Sequence, residues 1–207
     1  MIQRVSRSLY VRFIRPHFSR EIDLQRLKMV WFIWGYSPIL SLKTLSVPQR
    51  FNLVYRYLLI DWNVLHSHRP CEIAAVISAL ASRPAEKGEV MIEAGCWNGG
   101  SSAKFSIACK MLAYELHIYD SFSGVNQLSE EEKSSGYDYS GQYSASQSSV
   151  EQNLSTYGGI DICHIHPGWF SETLAKSPIE IPVRIIYIDC DSANGTKEVL
   201  CGEHEAG

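Results

Sequence analysis

Between Val90 and Tyr119 the sequence leaves the backbone little choice. Val90-Met-Ile92 is a short apolar run bounded by Gly88 and Gly95, the pattern of a buried strand. Beyond the glycines, Phe105, Cys109 and Leu112 recur at helical spacing, and Leu116-His-Ile-Tyr119 is a second apolar run. Strand, helix and strand within about 30 residues make a βαβ unit. Such a unit commits the chain to a parallel sheet with right-handed crossovers, and so to an α/β fold.

The neighbouring sequence extends this unit. Ile73, Val76, Ile77 and Leu80 predict a preceding helix, ended by the turn Arg83-Pro-Ala-Glu-Lys-Gly88. Ser148-x-x-Glu151 reads as a capping box opening a helix with Val150, Leu154 and Tyr157 on one face, closed by Gly158-Gly159. Two more strands are predicted, Ile160 to Ile165 and Val183 to Ile188. Residues 121–149 break the rhythm with many serines, the acid run Glu130-Glu-Glu132 and three tyrosines, 137, 139 and 143. A loop of this length within a compact domain is usually either a lid or disordered; the three tyrosines favour a lid, with residues 123–147 closing over a site. Four strands are countable, fewer than the roughly five to seven that doubly wound sheets usually hold. The chain therefore reads as curtailed at its C-terminus, and Cys201-Gly-Glu-His-Glu-Ala-Gly207 as a fragment end.

Charge divides the chain. Residues 1–50 carry 9 Lys+Arg against 2 acids, a net of +7, and residues 51–207 carry 10 against 20, a net of −10. An acidic body argues against a nucleic-acid footprint. The division suggests a basic, aromatic, helical N-terminal extension (1–50) ahead of the main domain (51–207). The stretch from Met29 to Leu42 is interrupted by Gly35, Ser37, Pro38 and Ser41 and falls short of a membrane span. The extension either forms a peripheral patch on an anionic membrane or packs its Trp residues on the body or on a neighbouring subunit, which leaves a homo-oligomer open. Six cysteines at irregular spacing, with no C-x-x-C, read as reduced thiols in a cytoplasmic protein.

Chemistry concentrates at Glu93-Ala-Gly95-Cys-Trp-Asn-Gly99-Gly100, where the first strand hands over to the helix. Glycines there let backbone approach a ligand, and the helix N-terminal N–H groups face it. Asp120 closes the second strand 25 residues after Gly95, where an acid can accept from both hydroxyls of a ribose. The spacing E-x-G-x-x-x-G differs from the dinucleotide pattern G-x-G-x-x-G, since Trp stands at position 97, and a leading acid suits a cationic group better than a pyrophosphate. An ammonium and a sulfonium on a ribose describe S-adenosylmethionine. Asp189 and Asp191, two apart at the carboxyl end of a strand, point the same way where ligands bind in open α/β sheets; paired carboxylates suit Mg²⁺, or are solvated acids. His164-x-His166 on a strand and His66-x-His68 in a loop could each be half a metal site, but with no third ligand nearby in the sequence they read as surface or hydrogen-bonded histidines. Trp169 and Phe170 either wall an adenine pocket or belong to the core.

Five blocks in order, Glu93-Ala-Gly-Cys-Trp-Asn-Gly-Gly-Ser-Ser102, Tyr119-Asp-Ser-Phe-Ser-Gly124, Tyr143-Ser-Ala-Ser146, Pro167-Gly-Trp-Phe-Ser-Glu-Thr-Leu174 and Tyr187-Ile-Asp-Cys-Asp191, resemble the macrocin and mycinamicin O-methyltransferase family over about residues 70–200. The resemblance implies the Rossmann-like class I methyltransferase sheet, S-adenosylmethionine as cofactor, a sugar hydroxyl as acceptor and a divalent cation. It places Glu93, Gly95 and Gly99 on the methionine end, Asp120 on the ribose, Ser121 and Phe122 on the adenine side, with Trp169 beside them, and Asp189 with Asp191 at the catalytic floor and metal. The chain departs from the family in Ser-Ala-Asn-Gly-Thr after Asp191 and in lacking later strands that carry further acids. Two rival readings remain, a cofactor-binding remnant without activity and a nicotinamide-dependent oxidoreductase.

Overall fold

The structure is a computed structural model; it describes residues 30–134, 138–174 and 181–204, with side chains described to residue 200. The basic segment 1–29 lies outside the described residues. Residues 30–35 are helical, followed by a 3-10 turn at Ser37–Ser41 and a long helix α1 at Val47–Asn63. Position 50 falls inside α1, and Tyr36, Ile39, Leu42 and Leu45 belong to the main core, so chain on both sides of that position shares one packing unit. Gln49 reaches back to accept from Ser46 N at 2.8 Å, and Pro48 stands in the first turn, where its missing N–H costs nothing.

A second helix, α2 (Pro70–Leu80), leads to β1 (Val90–Ala94), α3 (Gly100–Leu112) and β2 (Glu115–Asp120). After the serine-rich segment, which holds one short helix α4 (Glu130–Ser134), come α5 (Gln147–Tyr157), β3 (Cys163–Pro167), the one-turn α6 (Phe170–Thr173), β4 (Val183–Ile188) and α7 (Ala193–His204). All four strands are parallel, in the order β3-β2-β1-β4. The chain runs outward from β1 through β2 to β3 and then returns to β1's other side. That reversal creates a crevice at the carboxyl ends of β1 and β4, the place where such sheets hold ligands.

Strand alternation sorts the residues into two layers. Met91, Leu116 and Ile118 face the larger core with α1, α2, α3 and α5, while Val90, Ile92, Ala94 and Tyr119 face a smaller one with Leu174 and Val199. β1 is wholly buried, but every residue of β4 is half-buried, and β4 has one neighbour, β1, among the described strands.

Two local expectations shift. The cap of α5 is Ser146, whose hydroxyl accepts from Ser149 N, so the helix starts before the proposed Ser148 box; Glu151 instead accepts from Gln147. Ile160–Ile162 is a 3-10 turn and β3 starts at Cys163, because the chain needs that turn to bring the strand level with Leu116. The aromatic head does not pack its Trp residues on the body: Trp31 and Trp34 are exposed, and Phe51, Tyr55, Leu59 and Trp62 continue an exposed apolar stripe along α1. No helix among the described residues is long and apolar enough to cross a membrane. The five cysteines with described side chains are all free thiols.

Candidate functional site

At the crevice between β1 and β4 lies an open cleft, lined by the ends of both strands and by the loops that follow them. Its floor is the contact between two backbones. Asp189 N donates to Ala94 O at 2.8 Å, and a Cβ on Gly95 would stand 2.2 Å from Asp189 O. With φ at +92° as well, position 95 accepts glycine alone.

Asp120 organises the turn above this floor. One carboxylate oxygen accepts from Cys96 N at 2.6 Å and Trp97 N at 3.2 Å, and the other from Phe122 N at 2.7 Å. The acid expected to meet a ribose therefore also fastens the glycine turn to the end of β2. Backbone strain gathers around the same cleft: Trp97, Phe122, Tyr143 and Asp191 are non-glycine residues with φ between 46° and 58°. Each such residue costs about 1–3 kcal/mol, a cost that persists where surrounding structure holds it. Trp97 and Tyr143 meet edge to face at 5.3 Å, so the serine-rich segment contributes an aromatic to the cleft wall. That segment is tied to itself, with Val125 N bonded to Gln142 O and Gly141 N to Val125 O, and Leu128 is buried.

The expected site residues divide into two groups. Gly95, Asp120, Ser121, Trp169, Asp189 and Asp191 line the cleft. Glu93, Gly99 and Phe122 do not. Alternation turns Glu93 to the larger core, beneath the first turn of α3; Gly99 faces Val150 of α5, where a Cβ would come within 2.9 Å; Phe122 packs against the larger core. The reason offered for Asp189 and Asp191 also changes. β4 ends at Ile188 and Asp191 is left-handed, so their shared location comes from a turn and not from a strand face.

Glu93 is nevertheless the most telling residue. It is fully buried, and the Ser101 and Ser102 hydroxyls lie near enough to pull on its charge but make no well-formed hydrogen bond to either carboxylate oxygen. Burial pushes its pKa up to about 7, against the pull of the serine hydroxyls and of His68. Unpartnered buried polar groups of this kind call for an explanation, such as a missing ligand.

Sequence reasoning missed a second polar system beside the cleft. Asp61, at the end of α1, forms an ion pair with Lys104 Nζ at 2.5 Å and accepts from His66 Nε2 at 2.8 Å and from the Tyr36 hydroxyl at 2.9 Å. Lys104 is fully buried and Asp61 nearly so. Burial works against ionising Asp61, but the His66 bond and the Lys104 charge outweigh it and hold the carboxyl below its usual value. The loop that follows carries His66 and His68 into the cleft wall. His68 Nε2 lies 2.7 Å from Asp189 Oδ2; burial opposes charge on His68, but the carboxylate prevails and raises its pKa. Asp191 is raised by burial and by the charge of Asp189. A signal for Lys104 did exist, since it is the only charged residue from Gly100 to Cys109. For the loop histidines, spacing gave no hint of partners.

Residues 76–203 match the macrocin-O-methyltransferase (TylF) family. Among solved structures, the fold is similar to the O-methyltransferase NovP, with a TM-score of 0.50 and 19% identity over 74% of this chain and 59% of that one. It is also similar to CalS11, a calicheamicin methyltransferase, with a TM-score of 0.54 and 14% identity over 78% of this chain and 75% of that one. No curated protein gives a significant match to the sequence. The chain thus spans about three-fifths of NovP's length, and the likeness is one of fold. The four parallel strands, the glycine turn fastened by Asp120 and the matched span place this chain in the macrocin-O-methyltransferase family.

Proposed function

We propose that the protein is an S-adenosylmethionine-dependent O-methyltransferase acting on a hydroxyl of a sugar or sugar-bearing natural product. The observation that carries this reading is the cleft at the carboxyl ends of β1 and β4, where Asp120 fastens the Gly95 turn, in a chain of the macrocin-O-methyltransferase family. Glu93, buried below that turn, adds a negative field that favours a cationic group over a pyrophosphate. The family and the calicheamicin-related neighbour support the acceptor class.

Bound in the cleft, S-adenosylmethionine supplies a methyl group on a sulfonium, which passes to an acceptor oxygen as the hydroxyl proton leaves. The chain's own groups then have separate tasks. Gly95 lets the backbone come close, and Asp120 presents its remaining lone pairs to the ribose hydroxyls while holding the turn. Trp169 and Ser121 flank the adenine side. Asp189, oriented by His68, stands at the floor to take up or orient the hydroxyl proton.

Mg²⁺ fits a narrower role. Asp191 is raised first by burial and then by the charge of Asp189, and a hard cation beside the two would favour both carboxylates. Among the described residues no third His, Cys, Asp or Glu joins them in a ligand set, so an ion there would keep several waters. Residues 123–147 are proposed to close over the bound ligands, and the apolar stripe of α1 to meet a second copy of the chain; light scattering of a Trp62→Glu variant tests the latter by loss of the dimer.

The decisive experiment is calorimetric titration with S-adenosylhomocysteine and, separately, with NAD, joined to methyl transfer onto sugar acceptors with and without Mg²⁺. Binding of the first ligand with measurable transfer supports the proposal. Binding without transfer indicates a cofactor-binding remnant, and binding of NAD alone overturns the assignment.

A further inference from the structure

We propose that Glu115, His117 and His164 form a transition-metal site, of the class that takes Zn²⁺, stapling the edge strand β3 to β2 at the end of the sheet remote from the cleft. Both strands carry cleft residues at their carboxyl ends, Asp120 and, just past Pro167, Gly168. The cluster stands at their opposite ends and shares no residue with the cleft.

Register assembles it. His117 and His164 are direct partners across the parallel pair, and Glu115 lies two residues before His117 on the same face. One ligand atom from each of the three lies within 4.8 Å of the others, and Glu115 Oε2 is already 3.0 Å from His164 Nε2. A tetrahedral ion with bonds of about 2.0–2.1 Å holds its ligand atoms roughly 3.3 Å apart, so modest side-chain rotations close the set. Two imidazoles and one carboxylate are the donors of a three-ligand zinc site with its fourth position open. Glu115 and His164 are exposed, which gives the ion an entry path and water for that position.

A fourth residue orients one of the three. His117 Nδ1 lies 3.0 Å from His166 Nε2, and with the proton on Nδ1 donated to His166, His117 keeps its Nε2 lone pair for the ion. Stacked rings fix the arrangement: His164 on His117 at 4.6 Å, His117 on His166 at 5.1 Å and His166 on Tyr119 at 4.2 Å. The two His-x-His pairs thus part company, one held by carboxylates at the cleft, the other completed by its neighbour strand.

The test uses the tag-free 207-residue chain, stripped with a chelator, dialysed, and titrated with ZnCl₂ against a chromophoric indicator. One equivalent is expected to bind with a Kd of about 1 µM or tighter, and Co²⁺ is expected to give the ligand-field bands of tetrahedral coordination without a thiolate charge-transfer band. His164→Gln, at an exposed position, and His117→Gln, with folding checked by circular dichroism, each weaken binding by about tenfold or more. Asp189→Asn leaves it unchanged. Failure of the wild-type chain to take up one equivalent, or loss of binding in Asp189→Asn or Cys71→Ser while His164→Gln retains it, overturns the proposal.

Discussion

Removing Asp61 removes the only carboxylate seen to balance a fully buried ammonium. In Asp61→Asn the shape and the Tyr36 hydrogen bond are largely kept, but Lys104 loses its ion-pair partner and is left with the His66 ring nitrogen at 3.1 Å. Breaking one half of a buried pair typically costs about 3–5 kcal/mol. Burial already pulls Lys104 down, with Asp61 opposing. The expected loss of about 3–5 kcal/mol is a large share of the 5–15 kcal/mol that holds an ordinary domain together. Urea unfolding followed by tryptophan fluorescence measures it. Replacing both residues, Asp61→Asn with Lys104→Met, should recover most of the loss, because no charge remains buried. In the single variant the folded-state lysine pKa is depressed, the unfolded chain binds more protons, and stability should rise with pH relative to wild type. A single variant within about 1 kcal/mol of wild type, or a double variant no better than the single, would refute the ion-pair account.

Three further outcomes are expected. Asp120→Asn should weaken S-adenosylhomocysteine binding by tenfold to a hundredfold, about 1.5–3 kcal/mol for a charge-assisted contact, with calorimetry as the measure. Because Glu93 titrates at about 7 in the free protein, raised by burial, its contribution to stability is full below the unfolded carboxyl range and fades as pH rises through 7. Binding of an ammonium-bearing ligand should strengthen over that same rise, and Glu93→Gln should flatten the profile. Gly95→Ala should fail to fold or lose several kcal/mol, since its methyl would overlap the Asp189 carbonyl; an unchanged unfolding midpoint would show that the β1–β4 contact is looser than described.

Much of this was legible because the relevant signals are local. Val183–Ile188 and the helix through Phe105 follow from short-range periodicity, and the glycine turn announces itself by composition. Ser148 and Ile160 misled because two adjacent capping sites, or a 3-10 turn and a strand start, look alike until packing chooses between them. The site was legible as far as Gly95 and Asp120. It stopped at His68, Lys104 and the placing of Glu93, because each depends on a partner 38 to 121 residues away or on which face of a strand meets the core.

Pairing of β1 with β4 also sets an order of assembly. Val90 is hydrogen-bonded to Pro182 and Ala94 to Asp189, so the cleft floor joins segments more than ninety residues apart, whereas β1, α3 and β2 close over local contacts. Long-range pairing of this kind comes late, after the loop-closure entropy has been met. During synthesis at about 5–20 residues per second, the glycine turn and Asp120 exist for several seconds as a half-built receptor before β4 leaves the ribosome. Ligand cannot speed the early steps under these conditions. It acts on the last one, trapping β4 against β1 once docked, and so lowers the unfolding rate far more than it raises the folding rate.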